Sequence, residues 1–188
     1  SEFRHLYTFS EKHQLASRIM GGVIWSYGNK TIAPYSEQFY VGGANSIRAF
    51  TIRSIGPGRF HPASSSSYSY VDETGDIKLE ANLEYRFRIF SNFLGGNLNG
   101  AAFLDAGNVW LLRKDEARPN AEFSLNHFFD SIALGTGVGI RYDFSFLVLR
   151  LDWGIALPVP YDTGKSGYYN IPRFKDGMGL HFAIGYPF

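Results

Sequence analysis

Few residues in this chain of 188 have obvious chemical potential once the usual arrangements are tested. Cysteine is absent, which removes thiol catalysis, a disulfide framework and cysteine-ligated metal. His5, His13, His61, His127 and His181 have no metal-ligand spacing. The run GTGVG, residues 135–139, lacks the following helix that a phosphate loop requires. No G-x-S-x-G nucleophile elbow occurs, and the serine tract Ser64–Ser67 reads as an outer-loop segment. Neither a catalytic group nor a cofactor nor a metal is therefore expected. One residue stands apart: Arg48, in GGANSIRAF (42–50), is a lone cation framed by glycines, an amide, a hydroxyl and an aromatic. A guanidinium carries its donors in a rigid fork and can bridge two carboxylates at once. Its chemistry would be electrostatic clamping, against the plainer reading of a solvated loop charge.

Whether Arg48 can clamp anything depends on the elements around it, and those are strands. Residues 77–89, IKLEANLEYRFRI, alternate strictly: Ile77, Leu79, Ala81, Leu83, Tyr85, Phe87 and Ile89 on one face, Lys78, Glu80, Asn82, Glu84, Arg86 and Arg88 on the other. Residues 146–157 set Leu147, Leu149, Leu151, Trp153, Ile155 and Leu157 opposite a face holding Arg150 and Asp152. Residues 131–142 set Ile132, Leu134, Val138 and Ile140 opposite Gly135, Gly137, Gly139 and Arg141. The last eleven residues set Met178, Leu180, Phe182, Ile184, Tyr186 and Phe188 opposite Gly179, His181, Ala183, Gly185 and Pro187. Weaker alternation covers 14–28 and 100–112, with a partial strand at about 2–9. About seven strands and no helix are expected.

A soluble sandwich would bury the apolar faces and wet the polar ones. A transmembrane barrel would do the reverse, with lipid outside and a crowded lumen within. Three observations favour an antiparallel transmembrane β-barrel. Several segments reach about 11–13 residues, against a usual soluble length near 5–6 and about 9–11 for a tilted span. The polar face mixes glycines with charges. Connections near 10–13, 91–97 and 143–145 are short, while those near 29–75, 113–130 and 158–177 are long, the asymmetry of periplasmic turns and outer loops. Trp25, Tyr27, Trp110, Tyr142, Tyr186 and Phe188 lie near strand ends, where interfacial girdles form. A net charge of +1 gives no electrostatic case for nucleic acid. The chain opens on Ser1 without a starting Met or signal peptide. Seven is an odd count, and an unclosed sheet leaves edge groups unpaired in lipid. The expectation is that residues 1–188 are the C-terminal part of a larger barrel, or pair with another copy.

Parity then supplies partners for Arg48. Glu84 lies on the lumen face of its strand. In AAFLDAGNVW, Leu104, Trp110 and Leu112 share one parity, and Phe103, Asp105, Gly107 and Val109 the other. An aspartate facing lipid is costly, so Asp105 is expected inward. The loop 29–75 is long enough to fold back, with Gly42, Gly43 and Gly56–Pro57–Gly58 to turn it.

These motifs resemble those of the BamA/TamA outer-membrane insertase superfamily. The segment 33–58 is similar to its inward-folding loop, whose signature is Val or Ile, Arg, Gly and an aromatic. Ile47, Arg48, Ala49 and Phe50 occupy those places, with Ala49 standing where the pattern has glycine. FLDAGNVW matches a later strand motif through Phe103, Asp105 and Gly107, ANLEYRF matches the preceding strand through Glu84, and HFAIGYPF resembles the terminal recognition strand. The resemblance implies the last seven of sixteen strands, an arginine packed against Glu84 and Asp105, and a closer likeness to the Tam-like branch in the run 47–58. It further implies an assembly factor that inserts client β-barrel proteins, with outer-membrane lipid around it and periplasmic or inner-membrane accessory proteins beside it. The seam would lie at the terminal strand, through Gly179, Phe182, Gly185, Tyr186, Pro187 and Phe188. Glycine weakens strands and proline gives no N–H to a ladder, though inward glycines also relieve crowding in any barrel. A passive pore, a partner-secretion transporter on the same barrel, the barrel of a larger patatin-like lipase, and a soluble sandwich binding module are the rivals.

Overall fold

The computed structural model describes residues 1–27, 33–62 and 73–188; the serine tract and part of the long loop lie outside them. Seven strands form one antiparallel sheet in sequence order: β1 (Glu2–Ser10), β2 (His13–Val23), β3 (Ile77–Phe93), β4 (Gly96–Trp110), β5 (Ala133–Phe144), β6 (Leu147–Ala156) and β7 (Met178–Ile184). Every neighbouring pair is a meander hairpin, and β1 and β7 are the edges. Among the described residues the only helical turns are short 3₁₀ stretches of three or four residues. The turns at 11–12, 94–95 and 145–146 lie at one end of the sheet, and the connections 24–76, 111–132 and 157–177 at the other.

The sheet is inside out relative to a soluble protein. Leu83, Leu104, Val138, Ile140, Leu151, Trp153, Leu180 and Phe182 are exposed on one face. Arg18, Glu80, Asn82, Glu84, Arg86, Asp105, Arg141, Arg150 and Asp152 are buried on the other. Leu151 is 43% exposed while Asp152 beside it is 0%, which rules out a sandwich core on the leucine face and leaves that face to hydrocarbon. The sheet does not close on itself, as a part of a larger barrel would not.

The lumen contains a second kind of core. Val41, Ile47, Ala49, Phe50 and Ile55 from the long loop pack with Val109, Ala133 and Ala156 from the wall and Val159 and Ile171 from the connection after β6. Phe39, Tyr161 and Tyr169 close over this cluster. The long loop thus enters the lumen as a folded plug with its own apolar interior.

Three sequence expectations need correction. Trp25 and Tyr27 were expected to extend the second strand, but β2 stops at Val23. Trp110 does lie on the outward parity, yet it is 1% exposed. The connection after β4 folds over it, with the Phe123 and Phe128 rings 5.6 and 5.9 Å away and its indole N–H donating to Ser131 Oγ at 3.0 Å. Tyr186 and Phe188 do not continue the last strand on its lipid side. Gly185 adopts φ of +86°, which ends β7 and turns the following residues inward. The Tyr186 ring lies 4.4 Å from the Arg86 guanidinium carbon, and the Phe188 ring lies 5.3 Å from that of Arg18. A left-handed backbone is cheap only at glycine, so one torsion takes Tyr186 and Phe188 off the lipid side.

Candidate functional site

The site is the tip of the plug, residues 45–49, held against the inner faces of β2 to β7. β3 and β4 are paired so that Asn82 lies opposite Asp105 and Glu84 opposite Phe103. Inward parity on both strands then stacks Asn82, Glu84, Phe103 and Asp105 in one patch of wall.

Arg48 fills that patch. Its side chain is fully buried. Nε donates to Asp105 Oδ2 at 2.8 Å and Nη2 to Asp105 Oδ1 at 2.8 Å, a bidentate fork. The Arg48 backbone N–H adds a third bond to the same carboxylate at 3.0 Å. Nη1 donates to Glu84 Oε2. The guanidinium carbon lies 3.7 Å from the Phe103 ring centroid, so the face of the cation is covered as its edges are bonded.

The acids are shared further. Glu84 also accepts from Arg86 Nε at 2.7 Å and from Arg141 Nη2 at 2.8 Å. Arg141 Nη1 lies 2.6 Å from Asp152 Oδ1, and Arg150 Nε lies 3.5 Å from Asp152 Oδ2. Arg48, Arg86, Arg141 and Arg150 therefore share the three carboxylates Glu84, Asp105 and Asp152. The aromatic rings of Phe103, Tyr186 and Phe188 lie over these cations and the adjacent Arg18, and Arg86 Nη2 also donates to the Phe188 carbonyl at 3.3 Å.

The rest of the tip is gripped residue by residue. Asn82 Nδ2 donates to the Ser46 carbonyl at 2.8 Å and to Asp105 Oδ1 at 2.9 Å, while its own Oδ1 accepts from Arg18 Nε at 2.9 Å. Ser46 Oγ donates to Glu80 and accepts from the Gly42 backbone N–H at 2.9 Å. The Asn45 carbonyl accepts from Arg18 Nη2 at 2.9 Å, and its side-chain oxygen from Arg150 Nη2 at 2.5 Å. The tip thereby touches β2, β3, β4 and β6 through hydrogen bonds alone.

Glycines make the bed beneath it. A Cβ on Gly135 would meet the Ala49 Cβ at 2.5 Å, one on Gly154 would meet the Arg48 carbonyl oxygen at 2.4 Å, and one on Gly179 would meet that oxygen at 3.1 Å. Ala49 does not adopt positive φ, so alanine suits its place, and its methyl seats on the bare backbone of β5. A Cβ on Gly107 would meet the Leu79 carbonyl at 2.5 Å and Glu80 Cγ at 3.0 Å, so Gly107 gives room to the strand that carries Glu80. Ile47 and Phe50 flank Arg48 in the apolar interior of the plug. Phe182 remains on the outer face, 67% exposed, and Pro187 is buried with the inturned terminal residues.

Sequence reasoning named Arg48, Glu84 and Asp105 but passed over Asn45, Ser46, Asn82, Arg86, Arg141 and Asp152 as members of the same set. The signal was available for those on strands, since all fall on the inward parity. What parity lacks is register, which decides which inward residues meet.

The described residues contain no group of three or more potential metal ligands, and the arrangement holds a loop rather than exposing a reacting atom. A half-open, lipid-facing meander with a plugged, charge-lined lumen defines a piece of an outer-membrane β-barrel. The whole of residues 1–188 matches the Omp85 superfamily domain, and the chain belongs to that superfamily. It is 30% identical over 181 residues to an outer membrane protein assembly factor BamA from Nitratidesulfovibrio vulgaris (strain Hildenborough), a match covering 96% of this chain and 20% of that protein. The chain thus spans about a fifth of the length of the relative that it matches. It is an outer-membrane protein. That relative is a BamA, so the Tam-like likeness read from residues 47–58 finds no support there.

Proposed function

We propose that residues 1–188 form the C-terminal part of the barrel of an outer-membrane protein insertase, with the long loop 29–75 acting as an internal brace. The observation that carries this is the burial of Arg48 between Glu84 and Asp105. Three charges withdrawn from water in the centre of a lumen are costly, and the cost is offset only where their mutual attraction and hydrogen bonds are all in place, which fixes the loop tip at that spot. A loop so fixed stiffens the inner face of the wall, and the terminal edge is its weak side because its ladder is short. β7 pairs with β6 over seven residue pairs, Leu149↔Ile184 to Ile155↔Met178, whereas β3 and β4 pair from Ile77↔Trp110 to Phe93↔Gly96. A client strand would add to such an edge by backbone hydrogen bonding, with its own turns following in sequence. No covalent step is needed. Its partners on this reading are outer-membrane lipid, unfolded β-barrel clients and accessory proteins on the periplasmic or inner-membrane side.

The test is Arg48→Ala in the full-length protein, read by heat-modifiable migration and by insertion of a client barrel into proteoliposomes. Loss of the compact, fast-migrating form together with loss of client insertion is expected. Normal migration with normal insertion would remove the brace. Steady ion conductance with no client insertion by the unaltered protein would favour a pore.

A further inference from the structure

We propose that the outer rim of this barrel carries a lipid site: a groove under the connection after β4 that takes one acyl chain of an outer-leaflet lipid. The groove has a volume of about 840 Å³ and lies at the rim of the wall, between Val23, Ile77 and Leu79 on the sheet and Phe123, Leu125 and Phe128 on the connection, with Phe39 of the long loop, packed over Gly22, also lining it. This is within the range of pockets that hold a small apolar ligand.

Its position on the lipid side follows from register. Val23 pairs with Ile77 and Ile77 with Trp110, so these three form a row on the outward parity. The next row by register is Gly21, Leu79 and Asn108, of which Asn108 is buried with its amide donating to the Gly58 and Ser131 carbonyls. Further down the same face lie Ile19, Leu83 and Leu104, which are exposed and apolar. The groove is therefore the upper end of the hydrocarbon-facing surface, roofed by Phe123 and Phe128 where they pack on Trp110.

Three features choose an acyl chain over water or a polar ligand. The groove is lined mainly by apolar side chains, and Lys78 at its margin is already paired with Glu80 Oε2 at 2.7 Å. The connection displays Leu125 at 80% and Phe129 at 87% exposure, a costly arrangement in water and a favourable one against hydrocarbon. Gly21 leaves the floor open: a Cβ there would touch only Leu79 Cδ1 at 3.6 Å and the Lys78 carbonyl at 3.7 Å, so no crowding demands glycine. Beyond Trp110 come Arg113 and Lys114, both exposed. At the end of a spanning strand they stand where lipid phosphates lie.

The experiment uses the full-length protein in nanodiscs of dimyristoyl phosphatidylglycerol, released into detergent and examined by native mass spectrometry for retained lipid. Gly21→Phe fills the floor of the groove without touching the clamp. Compared with Gly21→Ala, it is expected to lower the fraction retaining a lipid at least threefold, with unchanged heat-modifiable migration. Leu125→Ser, at a position 80% exposed, is expected to weaken retention in the same direction. Equal retention in all three proteins overturns the site. So does a cryo-electron microscopy map, with brominated acyl chains in the nanodisc, in which the groove is filled by another segment of the protein itself.

Discussion

The plug meets the wall in two ways that differ in kind. At its tip, Asn45, Ser46 and Arg48 meet β2, β3, β4 and β6 through directed polar contacts. On its flank, Val41, Ile47 and Ile55 pack through apolar contact with Val109 of the wall and with Val159 and Ile171 of the connection after β6. Apolar burial supplies stability in proportion to area and accepts substitutes of similar volume. A buried ion pair supplies little net stability but tolerates no missing partner, because a stranded charge costs far more than an absent pair. The flank therefore decides that the loop stays inside, and the tip decides where in the lumen it sits.

The sharpest way to break this contrast is to strand a charge. Arg48→Ala and Asp105→Ala are each expected to lose about 3–5 kcal/mol of stability, measured by urea unfolding of the full-length protein in vesicles. The double variant should lose less than the sum, since neither charge is then left alone. Additive losses would mean that the two residues act separately. Next comes the flank. Ile55→Ala should cost about 2–5 kcal/mol and Ile55→Val about 0.5–1.5 kcal/mol, a graded response that the tip should not show. Gly135→Val tests the bed, where added atoms meet Ala49. Overpacking of about 1–3 kcal/mol is expected, and Ala49→Gly in the same chain should recover part of it. A full recovery of stability by Arg48→Lys would sink the distinction, because lysine keeps the charge and loses the fork.

The smallest effect concerns the loop beyond the plug. Burial holds the Glu73 carboxyl above its ordinary range, with His61, 3.0 Å away, pulling the other way. A folded-state pKa raised above the unfolded one means that the unfolded chain releases this proton first. Stability contributed here is present at acid pH and falls as pH rises through the carboxylate range. Glu73→Gln should flatten that fall by less than about 1 kcal/mol, read as protease protection of the loop against pH. An unchanged slope would place its origin elsewhere.

The strands were legible because period-two alternation is written residue by residue, and β3 and β6 begin and end within a few residues of the segments 77–89 and 146–157. The inward sides of Glu84 and Asp105 followed from the same parity. The misreadings have a common physical source. Trp110 is covered by rings that arrive from thirteen and eighteen residues later in the chain, Phe123 and Phe128. Tyr186 and Phe188 change sides because of one backbone torsion at Gly185. The apolar interior of the plug joins Val109 on a strand to segments around Val41 and Ile171 that have no period of their own. Local pattern cannot report contacts made by distant segments, nor a sign of φ that glycine permits but does not require.

The glycine bed has one more implication, for how the final hairpin finds its alignment. Gly154 and Gly179 face each other across β6 and β7, and both lie under the Arg48 carbonyl. Sliding β7 by a single position would present Met178 or Leu180 to that carbonyl instead. A mis-slid seventh strand would thus clash with the arginine segment by bulk before any charge is felt.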